Sequence, residues 1–135
     1  MLEMNAVYEG QLSCTVTHEP SGCKLVSDAP KDNQGLGRSF SPTDLVGAAL
    51  GACMLTIMGI YAARHNLDLK GARAQVFKEM VADPVRRISK LTVKISLPKA
   101  IPDEHRAPIE RAGRTCPVSS SLHPNTIQVV TVEYV

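Results

Sequence analysis

From Leu45 to Ala63 the chain carries no charged residue, a run of 19 positions in a sequence of 135. That length is near the ~20 apolar residues that cross a bilayer as a helix. Gly47, Gly51, Gly59 and several alanines dilute the run, Cys53 and Thr56 stand in its middle, and strand-like, water-compatible segments flank it. It therefore reads as a buried central helix of a soluble protein. Ser41 is a good N-cap, Pro42 suits the first helical position, and Asp44 completes a capping box. The helix is expected to run to Arg64 or His65, with Asn66 as its stop. Apolar residues on all its sides require cover all round. A chain of this size has little with which to supply it, so a symmetric dimer pairing two such helices is the expected solution. Gly47 and Gly51 would let another helix approach closely.

The flanking segments read as strands. Residues 6–18 alternate, with Ala6, Tyr8, Leu12, Cys14 and Val16 on one face, as a half-buried strand does. The turn at Pro20-Ser21-Gly22 leads to a second strand, Cys23 to Ser27, and Asp28 to Ser39 forms a loop of functional length. After the helix, Ala72, Ala74 and Val76 mark one strand, a turn falls near Asp83-Pro84, and Leu91, Val93, Ile95 and Leu97 mark the next. A helical region from Asp103, interrupted at Pro108 and Gly113, and a further helix start at Cys116-Pro117 precede a last strand, Ile127 to Tyr134. No repeat or linker divides the chain, so the expectation is one α+β domain over 1–135.

A net charge of +2, no Trp and 4% aromatics leave neither the basic surface nor the stacking platforms of a nucleic-acid binder. Met1–Gly10 lacks the basic and apolar regions of a secretory signal, so a cytoplasmic location is expected. In that reducing compartment the four cysteines do not read as a disulfide framework, and none has C-x-x-C spacing.

Each thiol is therefore judged by its setting. Cys53, in Gly-Ala-Cys-Met-Leu, sits mid-helix, where a small core residue is the bland reading and a thiolate would need a nearby cation. Cys116 precedes Pro117, which places it at a helix N-cap where backbone N–H groups could lower its pKa, helped by Arg111 and Arg114. Alternatively it only caps a turn. Cys14 and Cys23 read as strand residues without function.

The segment Phe40-Ser-Pro-Thr-Asp-Leu-Val-Gly-Ala-Ala-Leu-Gly-Ala-Cys53 resembles the signature opening the central helix of the family of osmotically induced protein C (OsmC) and organic hydroperoxide resistance (Ohr) proteins. Cys116-Pro-Val-Ser-Ser-Ser-Leu122 resembles that family's second cysteine motif, and the element order agrees from about Ala6 to Val135. The resemblance implies an OsmC-like fold: an intertwined homodimer of antiparallel sheets around long central helices. It implies a peroxidase in which Cys53 attacks an organic hydroperoxide and becomes a sulfenic acid that Cys116 resolves as a disulfide. A dithiol, dihydrolipoyl or a small thiol, restores the pair, and no cofactor or metal takes part. Leu50, Met54 and Ile57 would give the alkyl group an apolar setting.

In active members of that family an arginine pairs with a glutamate ten residues before the first cysteine. Here that position holds Thr43, and Asp44 lies ~100° further around the helix. Arg38, in the preceding loop, is the candidate arginine. Arg86-Arg87 could bind an anion or form a solvated turn. Glu79 could substitute as a carboxylate. His65 and His123 could join a metal site, although their scattered spacing fits surface histidines. The missing glutamate leaves a second reading open: a non-catalytic dimer holding an apolar or anionic ligand, or a thiol redox sensor.

Overall fold

The computed structural model describes all residues, Met1–Val135. The element order is β1 (Met4–Gly10), β2 (Ser13–His18), β3 (Cys23–Asp28), a 3-10 turn (Lys31–Asn33), α1 (Pro42–Arg64), β4 (Arg73–Val81), β5 (Arg87–Leu97), α2 (Asp103–Arg114), α3 (Pro117–Ser121) and β6 (Ile127–Tyr134). The fold is α+β, with two three-stranded sheets, β1-β2-β3 and β4-β5-β6. The chain forms two compact units, Met1–Val46 and Gly47–Val135, whose boundary falls inside α1.

In the first unit, the expected single strand over 6–18 is instead a hairpin. Gln11 and Leu12 both take positive φ, 54° and 61°, after Gly10 at 86°. Two such residues between paired strands make the turn that matches strand twist. Neither residue type announces it, and the alternation passes through unbroken because Tyr8 pairs with Cys14 and Ala6 with Val16 across the hairpin. The Leu12 N–H donates to the Tyr8 hydroxyl at 3.3 Å, holding the turn down. The expected loop from Asp28 also starts later, since Asp28 ends β3 opposite Ser13. The start of α1 matches the sequence reading: Ser41 N–H donates to Asp44 Oδ2 (2.9 Å), and Asp44 N–H donates to Ser41 Oγ (3.1 Å).

The second unit is built on β5. Leu91, Val93, Ile95 and Leu97 alternate along it and are fully buried, each worth roughly 1.5–3 kcal/mol of transfer free energy. Against them α1 lays one face: Gly47, Leu50, Gly51, Met54, Met58 and Ala62 are buried. The opposite row, including Ala48, Ala52, Thr56 and Ile60, is exposed, so the helix is covered on one side of this chain and not all round. By length and composition α1 could cross a bilayer, but its inner face is committed to this core. The close approach at its glycines is to a strand, not to the expected second helix. A Cβ on Gly51 would sit 2.7 Å from Val76 Cγ2, and one on Gly47 3.4 Å from Leu91.

Two further expectations are corrected. Although β4 runs antiparallel to β5, β6 runs parallel to it, from Lys90↔Ile127 to Leu97↔Tyr134. The sheet is therefore mixed, because α2 and α3 form a crossover that returns the chain to the same end of β5. Pro108 and Gly113 do not interrupt α2, which runs unbroken through both. Pro108 forgoes one helical hydrogen bond, while Ile109 is buried and Gly113 receives the end of Met58.

The two contacts give opposite tolerances. Gly51→Ala must displace the stiff, β-branched Val76 and is expected to lose roughly 1–3 kcal/mol in urea unfolding. Gly113→Ala meets the flexible end of Met58 and is expected to lose less than half as much.

Candidate functional site: a cysteine pair in the second unit

The second unit brings Cys53 and Cys116 together. Cys53 faces inward from the middle of α1, one residue before the buried Met54, and is half-buried. Cys116 is fully buried in the same core. The two side chains are near neighbours, close enough for Cys53 to raise the pKa of Cys116, and both are free thiols.

Cys116 takes the N-cap position that Pro117 implied. Its backbone is extended (φ −63°, ψ 145°), and its Sγ accepts from Ser119 N–H at 3.3 Å. The expected drop in its pKa does not follow. Burial pushes the thiol up, the N–H groups of Ser119 and Val118 pull it back in part, and the neighbouring Cys53 adds to the rise. A helix of five residues carries too little dipole to reverse a desolvation cost. Arg114 points to other partners, Glu110 at 3.7 Å and the Val130 carbonyl at 3.3 Å.

Two residues that the sequence reading passed over support Cys116. Ser119 Oγ–H donates to Gln128 Oε1 (2.6 Å), and Gln128 Nε2–H donates back to the Ser119 carbonyl (3.1 Å). Gln128 lies in the inward register of β6, which Val130, Val132 and Tyr134 share. A polar residue among those positions was the available signal. A hollow of about 560 Å³ opens here, lined by Met54, Arg114, Ser119, Gln128, Val129 and Val130.

Arg38 belongs to the first unit and is already engaged. Its Nε (2.9 Å), Nη2 (3.2 Å) and backbone N–H (2.8 Å) all bind the Asp28 carboxylate. The Asp28 side chain is only 2% exposed. The guanidinium's hydrogen bonds hold Asp28 below its usual range and raise Arg38. Nothing local in the sequence marks Asp28, because the pair is ten residues apart and the loop between them closes it. Thr43, ten residues before Cys53, has its hydroxyl 3.2 Å from Ser41 Oγ in the helix cap.

The remaining candidates lie elsewhere. Glu79 is exposed and paired with Lys90 at 3.5 Å. Arg87 donates to the Asn125 carbonyl at 3.3 Å. His123 accepts from Asn125 N–H, and His65 stacks on Tyr61 with ring centres 4.2 Å apart. No group of three His, Cys, Asp or Glu side chains could hold a metal ion. Cys14 is half-buried and Cys23 exposed.

Two outcomes are expected from this geometry. In native protein at neutral pH, mass mapping after brief iodoacetamide treatment finds Cys23 modified first and Cys116 last. The Cys116 rate keeps climbing as pH passes the ordinary thiol midpoint of ~8.5. For Asp28, whose folded pKa lies below the unfolded value of ~3.9, the ion pair stabilises at higher pH. That stability is lost as pH falls through the lowered value. Circular dichroism of Asp28→Asn should therefore show a flatter loss of structure in acid than the parent chain.

Comparison with known proteins extends the picture. No curated protein matches the chain. Among solved structures, one from Psychrobacter arcticus 273-4, provisionally assigned as an osmotic stress induced and detoxification response protein, is 39% identical with a TM-score of 0.92. The match covers 98% of this chain and 96% of that one. An organic hydroperoxide resistance protein OsmC from Legionella pneumophila shares the fold at 16% identity and a TM-score of 0.78, covering 98% and 96%. A Vibrio cholerae protein, provisionally assigned to organic hydroperoxide resistance and holding captopril in one active site, does so at 18% and 0.76, covering 98% and 90%. The profile of the OsmC-like protein family matches residues 34–131, a span that crosses both units and includes both cysteines. With that match and the 39% identical structure, the chain belongs to the OsmC-like family.

Proposed function

We propose that this protein reduces organic hydroperoxides with Cys53 and Cys116 as a two-cysteine peroxidase. The observation that carries the reading is the proximity of the two thiols in one core, Cys53 half-buried and Cys116 fully buried beside it. Members of the family act on hydroperoxides and are commonly dimeric.

The chemistry follows from that asymmetry. The outer thiol, as the Cys53 thiolate, attacks the terminal oxygen of ROOH. The O–O bond breaks, ROH leaves with a proton from solvent, and Cys53 becomes a sulfenic acid. The Cys116 sulfur then attacks the Cys53 sulfur, the S–O bond breaks, water leaves with the Cys116 proton, and a disulfide forms. A dithiol of dihydrolipoyl or small-thiol type reduces the disulfide by exchange. Burial keeps Cys116 protonated and away from peroxide, which suits a resolving thiol better than an attacking one. Arg38 is the candidate cation for Cys53, with Asp28 in place of the family glutamate as its acidic partner. The exposed apolar row of α1 fits a homodimer, and the reading places the protein in the cytoplasm as one functional domain.

A second reading keeps one specific support. Thr43 is tied into the helix cap and Arg38 into Asp28, which favours a binding protein or redox sensor whose cysteines turn over slowly.

One equivalent of cumene hydroperoxide added to reduced protein separates the two. The expected result is a loss of two hydrogens within seconds and a mapped Cys53–Cys116 bridge, absent in Cys53→Ser. Unchanged mass after minutes would remove the peroxidase reading. Arg38→Ala is expected to slow the first step by about tenfold, the effect of removing the cation proposed to favour the Cys53 thiolate.

A further inference from the structure

We infer that Gln128 is the positioning residue for Cys116: through its paired hydrogen bonds to Ser119 it fixes α3, and with it the buried sulfur, against Cys53. This rests on the two-cysteine reading above and names a residue that acts through another.

The helix that carries Cys116 cannot hold itself. Pro117–Ser121 is five residues long, well short of the ~12–15 at which an isolated helix becomes even marginal. Its geometry must come from outside, and the Ser119–Gln128 pair supplies it. The serine hydroxyl donates to the amide oxygen at 2.6 Å, and the amide nitrogen donates to the carbonyl of the same serine at 3.1 Å. Two bonds between the same two residues fix orientation as well as distance. The third bond is the Ser119 N–H to Cys116 Sγ, at 3.3 Å. Gln128 can act as an anchor because its own strand is held in register beside the core: it is the cross-strand partner of the fully buried Leu91. The path therefore runs from β5 to β6, through the amide to Ser119, and ends on sulfur.

Such a device would change one step and not the other. Attack of Cys53 on peroxide makes and breaks no bond to Cys116 or to any residue of α3. Disulfide closure requires Cys116 to stay within bonding reach, so its rate and equilibrium report effective concentration. Gln128→Met keeps length and volume but loses both bonds. Gln128→Glu keeps the acceptor for the Ser119 hydroxyl and loses only the donor.

Two measurements test this. In a glutathione redox buffer without peroxide, the Cys53–Cys116 disulfide is titrated against its dithiol form. Gln128→Met is expected to favour the dithiol by about tenfold relative to the parent chain, the scale of one to two lost hydrogen bonds. Gln128→Glu is expected between the two, and it serves as the test if Gln128→Met does not fold. With cumene hydroperoxide and a sulfenic acid trap such as dimedone, Gln128→Met is expected to form Cys53 sulfenic acid at the parental rate. It should accumulate the trapped adduct, because closure is about tenfold slower. Parental behaviour in both assays, or a slowed first step with unchanged closure, overturns the proposal. A shifted redox equilibrium in a protein whose parent chain ignores peroxide upholds the positioning role and rejects the peroxidase reading.

Discussion

The second unit depends on one contact plane, where the glycine-bearing face of α1 meets the sheet. Gly51 removes a side chain where Val76 comes closest, and Gly47 lies at ordinary contact distance from Leu91, so at Gly51 the helix backbone approaches the strand more nearly than any larger residue would permit. Close packing at that plane brings Leu50, Met54 and Met58 into full burial beside β5. It also sets the depth of Cys53, which follows from the helix's seat and not from any feature of its own.

The pairing of thiols then follows from topology. Because β6 lies parallel to β5, the chain between them must cross from one end of the sheet to the other. That crossover is where α2 and the short α3 place Cys116. A wholly antiparallel sheet would have needed no such excursion, and the second cysteine would have lacked its way into the core. The departure from the expected pairing is therefore what joins residues 63 positions apart.

Much of this was legible in the residues. The helix start at Ser41-Pro42-Asp44, its end near Asn66, the buried alternation of β5 and the capping position of Cys116 all follow from local signals of a few residues. Features fixed by distant partners did not show. Gln11-Leu12 turn the chain without turn-type residues, Pro108 stays helical because Ile109 and Gly113 are held by the core, and Asp28 meets Arg38 only once a loop has closed. The pKa of Cys116 is set by distant partners in the same way. Its local N–H donors are visible in sequence, but the burial that outweighs them is supplied by α1 and β5.

Complete burial of Cys116 has a consequence for the life of the protein under oxidant load. A sulfur with no open surface is spared the irreversible over-oxidation that threatens exposed thiols. The half-covered Cys53 takes that risk instead. Within the pair, a sulfinate would then gather on Cys53 and spare Cys116, whereas the exposed Cys23 stands outside that protection.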